Sequence, residues 1–345
     1  MASIMENNSY ENLYNAPLLT EYGIKDVNII AKAWQESHRF YHTEKHLADL
    51  LLDIDKLTTY DIVLQEDRNI LQIVAYFHDI VYDPKANDNE EKSAIFFRKY
   101  APNHPNTELI AQIILDTKYH TPSDKLSEIF CDLDMKIVKN SNISELLEWE
   151  KNIFREYQFY DYAMYKMGRI ALLENFRDKY QENSQNLQFL IDYLKVFRPK
   201  IGIYPGSFNP FHNGHLNILQ KAARIFDKVI LAKGVNPEKE NQPVNNTETI
   251  DNEILKYTQI DTFKGLLVMY MQEKEETADV TLIRGLRNGD DLDYEMNQLR
   301  FMRDMKPDLK TIFINCDIEF EHISSSAIRN LEKIGKGFGL MYVPR

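Results

Sequence analysis

Two histidines, His212 and His215, stand three residues apart in "YPGSFNPFHNGH" (Tyr204–His215), where an apolar strand pattern gives way to an amphipathic helix pattern. Gly206 permits backbone geometry that a side chain would block, and a helix starting beside Gly214 and His215 exposes its first amides. Such a terminus attracts anions, and imidazoles beside it can hydrogen-bond a phosphate as charge develops there. On H-x-G-H alone, a capped turn with incidental histidines is an equally good reading. Other segments break the tie. Lys239 in "NPEKE", Arg284 and Arg287 in "IRGLRNGDDLDYE", and Ser324, Ser325 and Ser326 in "EHISSSAIR" each follow a strand pattern and precede a helix pattern. Several cations and hydroxyls at one sheet edge form a phosphate site more readily than solvated charge does.

A second constellation lies earlier. In "RFYHTEKHLADLL", His42 and His46 are four apart, on one face of a helix if the helix has begun by then. "VAYFHDIVYD" supplies the pair His78–Asp79 at the end of an apolar helix, and "IFCDLDMKIV" supplies Asp132 and Asp134. An imidazole buried beside a carboxylate is costly unless something compensates the charge. A divalent cation does so, and nitrogen with oxygen ligands suits Mn, Fe, Co, Zn or, less well, Mg. The bland alternative is a helical bundle with capped or surface histidines. His120 is a pocket-lining candidate, His104 in "APNHPN" reads as exposed loop, and Arg39 and Lys45 read as solvated bases that also suit a substrate phosphate.

The elements that must position these residues fall into two grammars. From about Ile29 to Phe197 the apolar residues recur at helical spacing, as in "NILQIVAYFHDIVY", which predicts an all-α domain. After "FRPK", strands ("KIGIYPG", "KVILAKG", "VTLIRG", "KTIFIN") alternate with helices, which predicts an α/β doubly wound parallel sheet binding ligands at its carboxyl edge. The division predicted is 1–198 and 199–345, and "EKENQPVNNTETIDNE" reads as a mobile loop. At 345 residues with 43% apolar content, two cores are affordable. A net charge of −12 argues against a nucleic-acid duplex as partner. Only two cysteines, the absence of an apolar run of about 18 residues, and a polar acidic start point to the cytosol and to no membrane.

The residues from Lys200 to Pro344 resemble phosphopantetheine adenylyltransferase, of the H-x-G-H nucleotidylyltransferase superfamily. H-x-G-H, Lys239, "RGLR", "DYE" (Asp293–Glu295) and "ISSS" (Ile323–Ser326) carry the likeness. It implies adenylyl transfer from ATP to 4′-phosphopantetheine with Mg²⁺, giving dephospho-coenzyme A and pyrophosphate, in a homo-oligomer. The resemblance makes His215, Lys239 and Arg287 catalytic. Lys239, Arg284, Leu267 and Ser207 would bind phosphopantetheine. ATP would be bound by Ser207, Phe208, His212, His215, Gly285, Leu286, Arg287, Glu295, Phe320, Ile323 and Ser324–Ser326. The chain departs from the family pattern at Asn209, Glu240, Gln298 and Met302, which leaves open a different phosphorylated acceptor.

The earlier half, through "YHTEKH", "FHDIVYDP", "NEEKSA" and "DTKYH", resembles the HD superfamily of metal-dependent phosphohydrolases. That likeness implies a divalent metal on His46, His78, Asp79 and Asp134, with Asp134 preferred to Asp132, and His42 as general acid. The metal would generate hydroxide near neutral pH and polarise the phosphoryl oxygen. A regulatory domain that binds a nucleotide without hydrolysing it remains the alternative.

Overall fold

The computed structural model describes residues 13–235 and 252–344. Contacts divide the chain into two compact units: residues up to Glu156 with Leu173–Leu190, and Tyr157–Leu172 with Ile191 onward.

The first unit is helical. Its helices are α1 (Ala16–Glu21), α2 (Asn28–Trp34), α3 (Glu44–Thr59), α4 (Gln65–Phe77), α5 (Asn89–Tyr100), α6 (Thr107–Asp116), α7 (Lys125–Asp134), α8 (Lys136–Asn140) and α9 (Ile143–Glu156). Asn15 and Asp124 cap α1 and α7 by accepting from Leu18 N and Ser127 N, which satisfies amides that no helical carbonyl reaches. Every residue of α4 from Ile70 to Phe77 is buried, so α4 is the central rod, and α3, α5, α6 and α7 pack around it. A helix that is apolar all round can only be a core helix in a chain of this kind. Two further helices follow, α10 (Tyr162–Lys179) and α11 (Ser184–Val196).

The second unit is built on five parallel strands: β1 (Lys200–Gly206), β2 (Lys228–Val235), β3 (Gln259–Lys264), β4 (Asp279–Leu286) and β5 (Thr311–Asn315). Their order is β3-β2-β1-β4-β5. The connecting helices are α12 (Asn213–Ala222), α13 (Glu253–Lys256), α14 (Leu267–Glu275) and α15 (Gly289–Met305), and α16 (Ser325–Ile334) follows β5. The winding direction reverses between β1 and β4, which opens a crevice at their carboxyl ends. Two glycines let this centre close. A Cβ on Gly202 would lie 2.5 Å from Ile283 and 2.8 Å from Phe226, and one on Gly285 would lie 2.9 Å from the Tyr204 hydroxyl.

The parallel sheet predicted from sequence is present, but β3 and α14 were not among the predicted elements. β3 is an edge strand in which only Gln259 is buried and Thr262 and Lys264 are exposed, so it lacks the apolar run that marks its neighbours. His42 precedes α3 instead of lying on it, because the helix begins at Glu44. His104 is not an exposed loop residue: it is half-buried, with its ring stacked on Tyr22 at 3.8 Å. The segment "EKENQPVNNTETIDNE" falls almost wholly outside the described residues. No helix among those described is long and apolar enough to cross a membrane.

Lys228, at the start of β2, is fully buried and donates to the carbonyl of Gln158. Burial pushes its ammonium down to about 7, only partly opposed by Asp161 and Asp261. Between that value and the ordinary ~10.4, the unfolded chain holds a proton that the folded chain has released. Stability must therefore rise with pH across this window, by up to about 1.4 kcal/mol per pH unit from this group. Urea unfolding of wild type and Lys228→Met between pH 7 and 10 checks this: the variant should lose most of that slope.

Candidate functional site

The end of β1 delivers Tyr204 to His215 to the crevice. His212 caps α12: its Nδ1 accepts from His215 N at 3.3 Å, and His215 Nδ1 accepts from His212 N at 3.3 Å. The two rings stack 3.6 Å apart. With each Nδ1 used as an acceptor, a neutral ring carries its proton on Nε2. Both rings are held neutral. Burial, with help from Arg287, pushes His212 down to about 4, and burial beside His212 holds His215 well below the usual imidazole range. The pair can therefore hydrogen-bond a phosphate through Nε2–H without itself being a counter-charge.

The neighbouring strands bring the other predicted residues to the same edge. Gly285 and Leu286 end β4, and Arg287 follows, forked onto Asp291 by contacts of 2.9 and 2.7 Å. Asp291 raises the Arg287 guanidinium further and is itself lowered. Arg284 Nε lies 3.1 Å from Glu295 Oε2, and its Nη2 lies 3.3 Å from the sulfur of buried Met302. Glu295 therefore pairs with Arg284. Leu267 opens α14 after β3, half-buried.

Residues beyond β5 complete this edge. Ser324 caps α16 by accepting from Ala327 N at 3.1 Å, and Ser325 donates to Pro210 O at 2.9 Å. Arg329 donates to Asn209 O. These bonds tie the start of α16 to the loop after β1, and Ser326 stays exposed. Ile323 is buried, and Phe320 packs partly buried against the core. Ser207 is exposed, whereas the Phe208 ring is buried among Tyr204, Phe211 and His215, with its backbone at φ 46°. Phe208 thus holds the loop shape with its side chain, in a conformation that non-glycine residues seldom adopt. The Asn209 Oδ1 is buried with no hydrogen-bond partner. Lys239 and Glu240 lie outside the described residues.

Comparison with known proteins bears on this half. The cytidylyltransferase-like family matches residues 203–331. Phosphopantetheine adenylyltransferase of Geotalea daltonii is 35% identical over 139 residues, which is 39% of this chain and 84% of that protein. The enzyme of Clostridium tetani is 35% identical over 39% of this chain and 85% of its own, and that of Alkaliphilus metalliredigens 34% identical over 42% and 92%. Through its second half, the chain belongs to the phosphopantetheine adenylyltransferase family. Nucleotidyl transfer is the chemistry of that half.

The helical unit gathers a different set. His46, His78 and Asp134 bring one ligand atom each to within 4.8 Å of one another. His46 Nε2 lies 3.2 Å from Asp134 Oδ1, and His78 Nε2 lies 3.2 Å from Asp79 Oδ2 and 3.7 Å from Asp134 Oδ1. Both Nε2 atoms are buried without a hydrogen-bond partner. The His78 Nδ1, 3.0 Å from Ala75 O, is placed to donate, leaving Nε2 as a lone-pair donor aimed at the carboxylates. Two imidazoles, two carboxylates and unpartnered ring nitrogens suit a divalent ion. Burial disfavours the His78 cation, but Asp79 and Asp134 overcome it and raise the ring to about 9, and the proton thus favoured on Nε2 is the one a bound cation would displace.

Of the two aspartates offered by sequence, Asp134 sits in the cluster, and Asp132 is spent on Lys139 at 2.8 Å. His120 joins the cluster, with Nε2 3.0 Å from Asp134 Oδ2. Arg39 is not a solvated base. It is buried, and it donates to the carbonyls of His42, Asp79 and Ile80 and to Glu36. Lys45 remains exposed near Asp49.

Sequence reasoning missed Glu156. Its Oε1 accepts from the amides of Phe40, Tyr41 and His42 at 2.7, 2.7 and 3.0 Å, and its Oε2 accepts from the Tyr82 hydroxyl at 2.6 Å and pairs with His42 Nδ1 at 2.8 Å. It fixes the loop that carries His42, whose Nε2 faces Asp79 at 4.0 Å. Burial opposes the carboxylate, yet His42 and these donors lower Glu156 to about 2. Its stabilisation is thus complete above the ordinary ~4.3 and lost as pH falls toward 2. Glu156→Gln should cost about 3 kcal/mol at pH 7, measured by urea unfolding, because a buried network loses its charge and gains a mismatched amide.

Proposed function

We propose that the chain is a bifunctional enzyme. Its second half is a phosphopantetheine adenylyltransferase. A phosphate oxygen of 4′-phosphopantetheine attacks the α-phosphorus of ATP, the bond to the β-phosphate breaks, and dephospho-coenzyme A and pyrophosphate form. The observation that carries this reading is the neutral, stacked His212–His215 pair at the start of α12, in a chain of this family. His215 donates from Nε2 to the α-phosphate oxygens, His212 to the triphosphate, and Arg287 with the capped start of α16 holds the nucleotide. Arg284 and Lys239 hold the acceptor phosphate, with Ser207 beside its nucleophilic end. Mg²⁺ accompanies the nucleotide.

The first half is an HD-type phosphohydrolase. What supports this is the convergence of His46, His78 and Asp134, with Asp79 beside His78 and with bare buried nitrogens on both rings. A divalent ion held there would supply Lewis acidity and an activated water. His42, oriented by Glu156, donates a proton from Nε2 to the leaving oxygen, while Arg39 locks the carbonyls of Asp79 and Ile80 so that the ligand face stays in register.

Two measurements test the halves separately. Incubation with ATP, Mg²⁺ and 4′-phosphopantetheine should yield dephospho-coenzyme A by mass spectrometry, and His215→Ala should lower kcat about 10²- to 10³-fold. The kcat/KM profile between pH 6 and 8 should show no inflection from these histidines, because both are neutral throughout that range. Formation of no product by wild type would end the transferase assignment. Turnover of p-nitrophenyl phosphate with added Mn²⁺, lost together with bound metal in Asp134→Ala, is the result expected of the helical half. Its absence in wild type would end the hydrolase assignment.

A further inference from the structure

The helical unit holds a cavity of about 340 Å³ that reaches well beyond the candidate metal ligands. His46 and Asp134 line one part of it, and Asp53, Lys56 and Lys136 line another. The distance between these parts follows from helix geometry. His46 and Asp53 are both on α3, seven residues apart, which is two turns along one face, or about 10 Å. Leu50 and Trp149 line the cavity as well and supply an apolar stretch.

The far part has a specific charge arrangement. Lys56 Nζ is 2.9 Å and Lys136 Nζ 2.5 Å from the two oxygens of one carboxylate, Asp53, which is itself largely buried. Of the other lining acids, Asp49 lies 3.9 Å from Lys45, Glu148 lies 3.8 Å from Lys151, and Glu145 accepts from Asn142 N, and none of the three is bonded to Lys56 or Lys136 among the described residues. Two ammonium groups therefore converge on a single negative charge. Each ammonium has three donors and spends one on Asp53, so both keep N–H groups to offer while Asp53 holds them together. Both lysines are about half exposed, so a ligand entering the cavity can reach them.

We propose that the ligand of the helical site carries two phosphate groups about 10 Å apart, one at His46, His78 and Asp134 and the second between Lys56 and Lys136. The span between them is apolar or flat, packed on Leu50 and Trp149. This rests on the hydrolase reading for the first phosphate only. The Lys56–Asp53–Lys136 arrangement stands without it.

Calorimetry on the full chain with Mn²⁺ tests the proposal, using hexyl phosphate, hexanediol bisphosphate and ethylene glycol bisphosphate as probes. The hexanediol bisphosphate should bind at least about 10-fold tighter than hexyl phosphate, because the second phosphate gains charge-assisted bonds. Ethylene glycol bisphosphate, too short to span both parts, should show no such gain over the monophosphate. In Lys56→Met/Lys136→Met the ratio for the six-carbon pair should fall to about 1. Equal affinity of the six-carbon pair in wild type, or a ratio that survives the double substitution, overturns the proposal. Failure of p-nitrophenyl phosphate turnover sinks the hydrolase reading alone, since the affinity ratio is read from heats of binding and not from catalysis.

Discussion

Parallel pairing of β1 with β4 is the constraint on which the nucleotidyl-transfer half depends. Their register, from Lys200 opposite Asp279 to Ile203 opposite Leu282, places two carboxyl ends side by side although 73 residues separate Gly206 from Asp279. Neither strand can reach the other by a hairpin, so the chain winds outward through β2 and β3 and returns. That return leaves the crevice into which the loop after β1, the end of β4 and the start of α16 all project. Gly202 and Gly285 are the local terms of the same constraint. Side chains there would collide with Ile283, Phe226 and the Tyr204 hydroxyl and push these layers apart.

The two candidate sites use the same residue type in opposite electrostatic settings. His212 and His215 are buried against aromatic rings and an arginine, with no carboxylate in contact among the described residues, so the cationic form is suppressed. His42 and His78 are buried against carboxylates whose attraction outweighs burial, so the cationic form is favoured. A polyphosphate brings its own negative charge and needs donors at fixed positions more than counter-ions. A site rich in carboxylate is suited to a cation. The two candidate sites therefore differ in what surrounds each imidazole.

Legibility in the sequence followed the same division. His212, His215, Arg287 and the serines were readable because each stands between a strand pattern and the helix after it or at the start of that helix, and Arg284 because it closes the apolar run of β4. The metal candidates were readable because three helices each carry a ligand within a short apolar motif. Glu156 was not, since its amide donors lie 114 to 116 residues away and nothing near position 156 announces a carboxylate acceptor. β3 escaped because an edge strand buries one face and shows no apolar run. Arg39 was misread for a related reason: beyond nearby Glu36, its partners are the backbone carbonyls of His42, Asp79 and Ile80, which leave no mark in the sequence.

The departures from the family pattern acquire a physical meaning from Arg284. The Arg284 guanidinium, proposed above to hold the acceptor phosphate, is held 3.1 Å from Glu295 and against the Met302 sulfur, which accepts a hydrogen bond only poorly. Arg284 Nε and Glu295 Oε2 are both buried and poorly aligned for a hydrogen bond, so the pair keeps its charge attraction without its best geometry. A phosphate bound there would have only to improve on that geometry. The pairing also links Arg284, expected from sequence at the acceptor, to Glu295, expected from sequence at the nucleotide. Asn209 differs in kind, because its buried side-chain oxygen has no donor, and an amide oxygen costs less to leave bare than a carboxylate would.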